Sequence, residues 1–598
     1  MFKKMFHLGV LLLCMAGLAN ISVAQNYRSI KAPILTVNDN TAPVSSKGKV
    51  VSFSDQGPVS FSVNSIMFNA AETDTNVRTL YDLQSNGNIR DIIQDPSNPM
   101  NLHATCIVSK DQAYATRNTP YIFSSDGGTT WQFLGDPNTA RAGFPCIGLT
   151  TDGRAIIMNH SAPAPNTVDV RAVIFLDLAP GIGSFDLLDP GVTNTLSDPP
   201  IWPNCMTTPS NKIVFAGSEF TAETTFVNVC TNLTPPGTFS GYQQLLNAGA
   251  AEVYAVATTT GSKVGLAYIS GSFSSDPVGT VYFKQSTDDG ATFGAEQQIY
   301  VPNYVSGDSM GAIRDVDITY LNGEPCVVFG IALQDGTGNY FPNGPAKIQF
   351  WSPNINGGNP VTVDSLEGTT GSGNGNVNDV FVCVTRASIG RSADGNALYI
   401  AYNKARSDTS ELGVNYFDVY FTYSSDGGAT WVTPVPVTNQ SGPLRDCRYV
   451  AISPTNDFMV NGPHYAYMLY QADSIAGSSV NGAGFSFAHI MFAKATITDP
   501  IGVKNIGNNI PGSYQLYQNY PNPFNPTTKI KFDLPKNGFV NLKVYDILGR
   551  EVAVLVNQEL QAGSKEYEFN AVNLPSGVYF YKLKAGDFTA TKKLVLVK

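Results

Sequence analysis

The residues of this 598-residue chain whose types and spacing could do chemistry are arginines beside carboxylates. Arg90-Asp91, Arg314-Asp315 and Arg445-Asp446 stand at the starts of predicted strands, and Arg386 takes the same place in another unit. A planar guanidinium grips a carboxylate or phosphate in bidentate fashion. A convergent set of these four arginines would therefore receive an anionic or polar ligand. Adjacent residues on a strand face opposite ways, so one member of each pair would point toward a shared site. The competing reading is a set of salt bridges between neighbouring units, and it is preferred because Asp and Arg of adjacent units neutralise each other. The sequence holds no G-x-S-x-G elbow, no H-E-x-x-H and no P-loop. His103, His160, His464 and His489 lack ligand spacing, no cysteine pair forms C-x-x-C, and no D-x-D-x-D-G calcium loop is present. No catalytic residue, metal set or cofactor is assigned.

These residues are embedded in short runs of Val, Ile, Tyr, Phe and Thr, separated by Gly, Asn, Asp, Ser and Pro clusters. That pattern predicts an all-β chain with many short strands, and 55 Gly with 37 Pro fit a loop-rich globular protein. A long glycine-rich stretch, Asn354 to Asn378, reads as a surface loop or a lid. One turn repeats. Ser124-Ser-Asp126-Gly-Gly128-Thr-Thr-Trp131 returns as Ser286-Thr-Asp288-Asp-Gly290-Ala-Thr-Phe293 and as Ser424-Ser-Asp426-Gly-Gly428-Ala-Thr-Trp431, each copy after an apolar strand. Asp and Ser side chains bond the backbone of a tight turn, Gly supplies positive φ, and the aromatic packs back on the sheet. The repeat resembles the Asp-box, or BNR, motif of sialidase-like β-propellers. The resemblance implies a structural role for these residues, away from any active site.

Copies 162 and 138 residues apart divide into three units of 54 and two of 69, and seven strand starts between residue 86 and about 498 give some 59 residues each. Inner strands are expected to begin near Arg90, Cys146, Asn204, Val253, Arg314, Arg386 and Arg445. Seven blades are predicted, with six as the alternative, and Lys49–Phe53 as a closing strand that leaves no sheet edge unpaired. Sialidases grip a substrate carboxylate with three arginines and use a Tyr–Glu pair and an Asp. The first of those arginines sits in an R-I-P motif, and Arg28-Ser29-Ile30 and Arg78-Thr79-Leu80 both lack the Pro. That departure counts against a sialidase.

Net charge is −10, yet 11 basic residues outnumber 7 acidic ones from Ser513 onward. The strongly acidic middle disfavours nucleic acid and anionic membranes. Lys3 and Lys4 precede the apolar run Leu8–Ala19 and the small residues Ser22-Val23-Ala24, the pattern of a secretory signal peptide over residues 1–24. No later run is long enough to span a membrane. Seven cysteines follow the leader, read as buried small hydrophobes with one or two disulfides such as Cys205–Cys230.

The C-terminal part opens Tyr520-Pro521-Asn522-Pro523-Phe524-Asn525-Pro526 and continues through Tyr545-Asp546-Ile547-Leu548-Gly549-Arg550, Ser576-Gly577-Val578-Tyr579 and Lys592-Lys593. It resembles the type IX secretion C-terminal sorting domain of Bacteroidetes. The resemblance implies a small Ig-like β-sandwich, the secretion machinery as partner, and a product released or held at the cell surface. The expected order is signal peptide 1–24, N-terminal extension 25–85, propeller 86–498, linker 499–512 and sorting domain 513–598. The preferred function is a non-catalytic module that binds a glycan or an extracellular protein. The alternative is a sialidase-like glycoside hydrolase.

Overall fold

The computed structural model describes Ile30–Lys31 and most of residues 68–598; stretches such as 84–89, 370–380, 457–463 and 478–485 lie outside the description. Residues 1–24, read from the sequence as a signal peptide, and Lys49–Phe53 also lie outside the described residues. The chain is all-β. A single 3-10 turn, Asn356–Gly358, is the one helical element among the described residues, and no helix there is long and apolar enough to cross a membrane.

Seven sheets follow one another along residues 68–497 among the described residues, antiparallel throughout except where Thr455–Asn456 pairs parallel with the edge of the sixth. Their inner strands are Ile92–Gln94, Ala142–Leu149, Ile201–Thr207, Tyr254–Thr258, Met310–Leu321, Val384–Ser392 and Asp446–Ile452, close to the starts expected from sequence. Each inner strand adjoins the next, and the seventh adjoins the first, so the sheets form a propeller-like ring. The ring is closed by Phe68–Thr79, which pairs with Ala488–Ile497 as the outer strand of the seventh sheet. The glycine-rich stretch is only partly loop: Val361–Leu366 forms the outer strand of the fifth sheet, paired with Ala346–Trp351.

One hydrophobic core fills each gap between neighbouring sheets. Ile93, Tyr121, Ile147 and Val173 join the first sheet to the second. Phe144, Met158, Trp202 and Phe215 join the second to the third, and Phe381, Tyr449, Tyr467 and Phe492 belong to the core that joins the seventh back to the first. A strand in the middle of such a stack is covered on both faces. Ala142–Leu149, Ala155–Ser161 and Arg171–Asp177 are accordingly buried at every position, and apolar stretches such as Ala155–Met158 and Ala172–Leu176 run through the last two without alternation.

The inner strands share a local irregularity. The pairing register shifts between Gly143 and Cys146, Ile201 and Asn204, Ala312 and Val316, Thr385 and Ser388, and Arg448 and Ala451. Four bulky residues at these bulges hold left-handed backbone: Phe144, Trp202, Arg386 and Tyr449. A bulge re-aims side chains and breaks the two-residue alternation. Arg90 and Asp91 are both buried, as are Arg314 and Asp315, so burial does not separate the two members of these pairs.

All seven described cysteines are free and buried. The expected Cys205–Cys230 bridge is absent because the strand Ile213–Ser218 lies between the strands that carry the two residues. Two strand spacings, about 9.5 Å, exceed the roughly 7 Å Cα separation a disulfide spans.

Residues 503–596 form two further four-stranded sheets over one shared core that includes Phe532, Leu542, Tyr581 and Leu594. Here burial alternates strictly, as in Gly577–Ala585, since each sheet has one covered face and one wet face. All four runs read from the sequence are strands, joined by Glu551–Leu560 and Gly563–Asn570.

Candidate functional site

The four candidate arginines do not meet in one place. Arg90 reaches across the ring axis from the first sheet. Its Nη1 donates to the Val256 carbonyl at 2.9 Å, and its Nη2 pairs with Asp317 Oδ1 at 3.1 Å. Asp317 also accepts from Ser388 Oγ and Ile389 N of the sixth sheet, both at 2.9 Å. This buried, fully bonded pair ties four sheets together across the channel.

Arg314 and Arg386 are brought together around Asp315. Asp315 accepts from Thr385 Oγ1 at 2.7 Å and from the Arg386 backbone N–H. Burial raises its carboxyl above the usual range, against the pull of Arg386 and Arg314. The Arg386 guanidinium lies over the Phe381 and Tyr449 rings at 5.4 and 5.8 Å. Arg445 is half-buried and stands apart, with Nη1 3.9 Å from Met491 Sδ. The arginine that the seventh sheet contributes to the interior is Arg448. It pairs with Asp446 at 2.6 Å and lies 4.5 Å from both the Phe381 and Phe417 rings. Nothing in a single sequence distinguishes it from Arg445 three residues earlier.

The repeated turns share one geometry. Ser124, Ser286 and Ser424 each donate to the Asp two residues on, at 2.7–2.8 Å. Each Ser Oγ accepts from the N–H of Gly128, Gly290 or Gly428 at 2.8–2.9 Å. Asp126, Asp288 and Asp426 accept the backbone and hydroxyl of Thr130, Thr292 and Thr430. Bonds from Thr292 and Ser286 hold Asp288 down at about 2. Each carboxylate is thus engaged by its own turn. The turn leans on the preceding sheet: Trp131 lies 5.2 Å from Phe492 and Trp431 5.1 Å from Phe350, while Phe293 packs in the core with Val214.

A cavity of about 1170 Å³ lies off the axis between the second and third sheets, where their inner strands begin. Arg141, His160, Asp169, Asp198, Trp202 and Phe220 are among its lining residues. Phe220 is 45% exposed, and its ring stands 5.9 Å from that of buried Trp202. Behind them, buried Arg117 donates from Nη1 to Tyr81 Oη at 3.0 Å and lies over the Tyr81 and Phe144 rings. Its Nη2 is 3.3 Å from His160 Nε2. Burial, and then the charge of Arg117, push His160 well below its ordinary pKa. The imidazole is therefore neutral: Nε2 accepts from Arg117, and Nδ1 carries the hydrogen. That Nδ1–H and the Trp202 Nε1–H are buried and have no hydrogen-bond partner among the described residues. Two buried donors on residues lining one cavity thus have no acceptor among the described residues, where such groups are normally paired. No sequence pattern marked this site, because its residues come from separate strands and loops.

A second cavity of about 490 Å³ sits at the opposite mouth of the channel, where Thr150, Thr207, Thr258, Thr319 and Thr455 gather around Arg90 and Arg391.

No curated protein matches the chain. Among solved structures, it is similar to a protein of unknown function from Dyadobacter fermentans, at 10% identity, over 72% of this chain and 99% of that one, with a TM-score of 0.34. It is similar to the polysaccharide lyase Uly1 at 11% identity, with the same coverage and a TM-score of 0.39. The phage phi92 endosialidase is 9% identical, over 88% of this chain and 87% of that one, with a TM-score of 0.37. These likenesses are too distant to carry an argument about activity. The tail is another matter: residues 518–598 match the secretion system C-terminal sorting domain, so this protein is a cargo of type IX secretion, exported for release or for attachment at the cell surface.

Proposed function

We propose that the exported chain is a seven-bladed Asp-box β-propeller that binds a glycan without transforming it. In this reading residues 1–24 are a signal peptide, 25–85 an extension that supplies the closing strand, 86–498 the propeller, 499–512 a linker and 513–598 an Ig-like sorting domain. The ligand site is the cavity between the second and third blades, and the four arginines Arg90, Arg314, Arg386 and Arg445 serve the scaffold. The observation that carries the reading is the pair of unanswered donors, His160 Nδ1–H and Trp202 Nε1–H, beside the exposed Phe220 ring. Sugars offer hydroxyl oxygens to such donors and an apolar face to such a ring.

The test is a glycan array with the secreted chain, scored for both retention and loss of terminal sugars. Retention is expected, and Phe220→Ala weakens it about tenfold. Loss of a terminal sugar would instead establish the sialidase-like hydrolase. Silence on both counts would overturn the glycan reading in favour of an extracellular protein partner.

A further inference from the structure

We infer that Cys146 and Cys205 are joined by a disulfide in the exported protein, a covalent clamp between the inner strands of the second and third sheets. The two Sγ atoms are 2.9 Å apart, inside the contact distance of nonbonded sulfurs, and closure to about 2.05 Å is a sub-ångström movement. The residues lie on adjoining strands, Ala142–Leu149 and Ile201–Thr207, and both are completely buried.

The other thiols are arranged differently. Cys230 Sγ donates to the Asn232 carbonyl at 3.3 Å, Cys326 to Glu324 at 3.8 Å, Cys383 to Gly344 at 3.2 Å and Cys447 to Arg445 at 3.9 Å. Cys106 belongs to the core between the seventh and first sheets. A thiol that faces a carbonyl is satisfied as a weak donor. Among the described residues only the Cys146 and Cys205 sulfurs face each other, and the arrangement gains most from a bond.

The export route supplies the conditions. A type IX cargo leaves the reducing cytosol, and beyond it disulfides form and persist. The oxidant is the disulfide of a thiol oxidase. One cysteine thiolate attacks it and forms a mixed disulfide; the second thiolate then displaces the oxidase. The Sγ–Sγ bond forms, each cysteine gives up its hydrogen, and two electrons and two protons leave on the oxidase as a dithiol. Because both sulfurs are sealed in the finished fold, the exchange precedes the closing of the second and third sheets over them.

The clamp sits two residues along its strand from Phe144 and three from Trp202, the residue that borders the large cavity. It thus fixes the spacing of the two sheets between which the proposed ligand lies, although it does not depend on what that ligand is.

The test uses the full-length chain recovered after export. It is alkylated with N-ethylmaleimide in denaturant without reductant, digested, and analysed by mass spectrometry. The expected result is one linked peptide pair carrying Cys146 and Cys205, lighter by two hydrogens than the free peptides together. Cys106, Cys230, Cys326, Cys383 and Cys447 are expected to carry the maleimide. Alkylation of Cys146 and Cys205 in the exported protein, or a link from either to another cysteine, would overturn the inference.

Discussion

Buried polar residues set how this protein responds to its surroundings. His103 is sealed in the first sheet with Nδ1 2.6 Å from Tyr121 Oη, and burial pushes its pKa down to about 4. The unfolded chain binds a proton near pH 6.5 that the folded imidazole refuses. Stability is therefore full above pH 6.5 and falls as the pH drops from 6.5 toward 4, by up to about 3 kcal/mol from this residue. Buried His160 and His464 are shifted in the same direction, so they add to the same loss. Urea midpoints at pH 7.5 and 4.5 are expected to differ less in His103→Phe than in the native chain; an unchanged difference would remove His103 from the account. The arginines are a contrasting case. Arg90, Arg386 and Arg448 are held in the interior by carboxylates, carbonyls and ring faces, an arrangement in which loss of one partner strands the other.

At the scale of the element, the turn that carries Asp126 joins two requirements at one glycine. Gly128 has φ +87°, and a Cβ there would fall 2.2 Å from Phe492 Cε1. Its neighbour Gly127 has φ +68°, but the nearest atom to a Cβ, on Met100, is 3.4 Å away. Both positions carry the left-handed penalty of about 1–2 kcal/mol for an L residue, and only Gly128 adds overpacking, about 1–3 kcal/mol more. Gly128→Ala is expected to lower stability by about 3 kcal/mol and Gly127→Ala by about half that, read from denaturant midpoints. Equal costs would show that the turn is not pressed against the seventh sheet. The serine, aspartate and threonine bonds were legible in the sequence because turn chemistry is local. The sheet that receives the turn was not.

For the whole molecule the decisive feature is closure. Phe68–Thr79 supplies the outer strand of a sheet whose other strands lie some 370 residues later. Without it Ala488–Ile497 becomes an open edge, a template for pairing with other chains. A chain lacking residues 68–79 is expected to elute from size-exclusion chromatography as aggregate, while the native chain elutes as a discrete species. A deleted chain that stays discrete and cooperatively folded would show that closure is dispensable. The tail stands on other ground: its alternating strands and Tyr520–Pro526 opening lie within one contiguous segment, so it could be identified without the rest of the chain.

What the sequence determined by itself is what depends on neighbours along the chain: an all-β fold, the three repeated turns, the places where inner strands begin, and the address carried by residues 518–598. Tertiary structure decided what depends on neighbours in space. It gave Arg90 to Asp317, put Arg448 in the interior and left Arg445 aside, set Cys205 beside Cys146, and opened a cavity lined by His160, Trp202 and Phe220. The physical reason is the bulge in five of the inner strands. It breaks the two-residue alternation from which facing could have been read, at the very positions where side chains of different sheets meet.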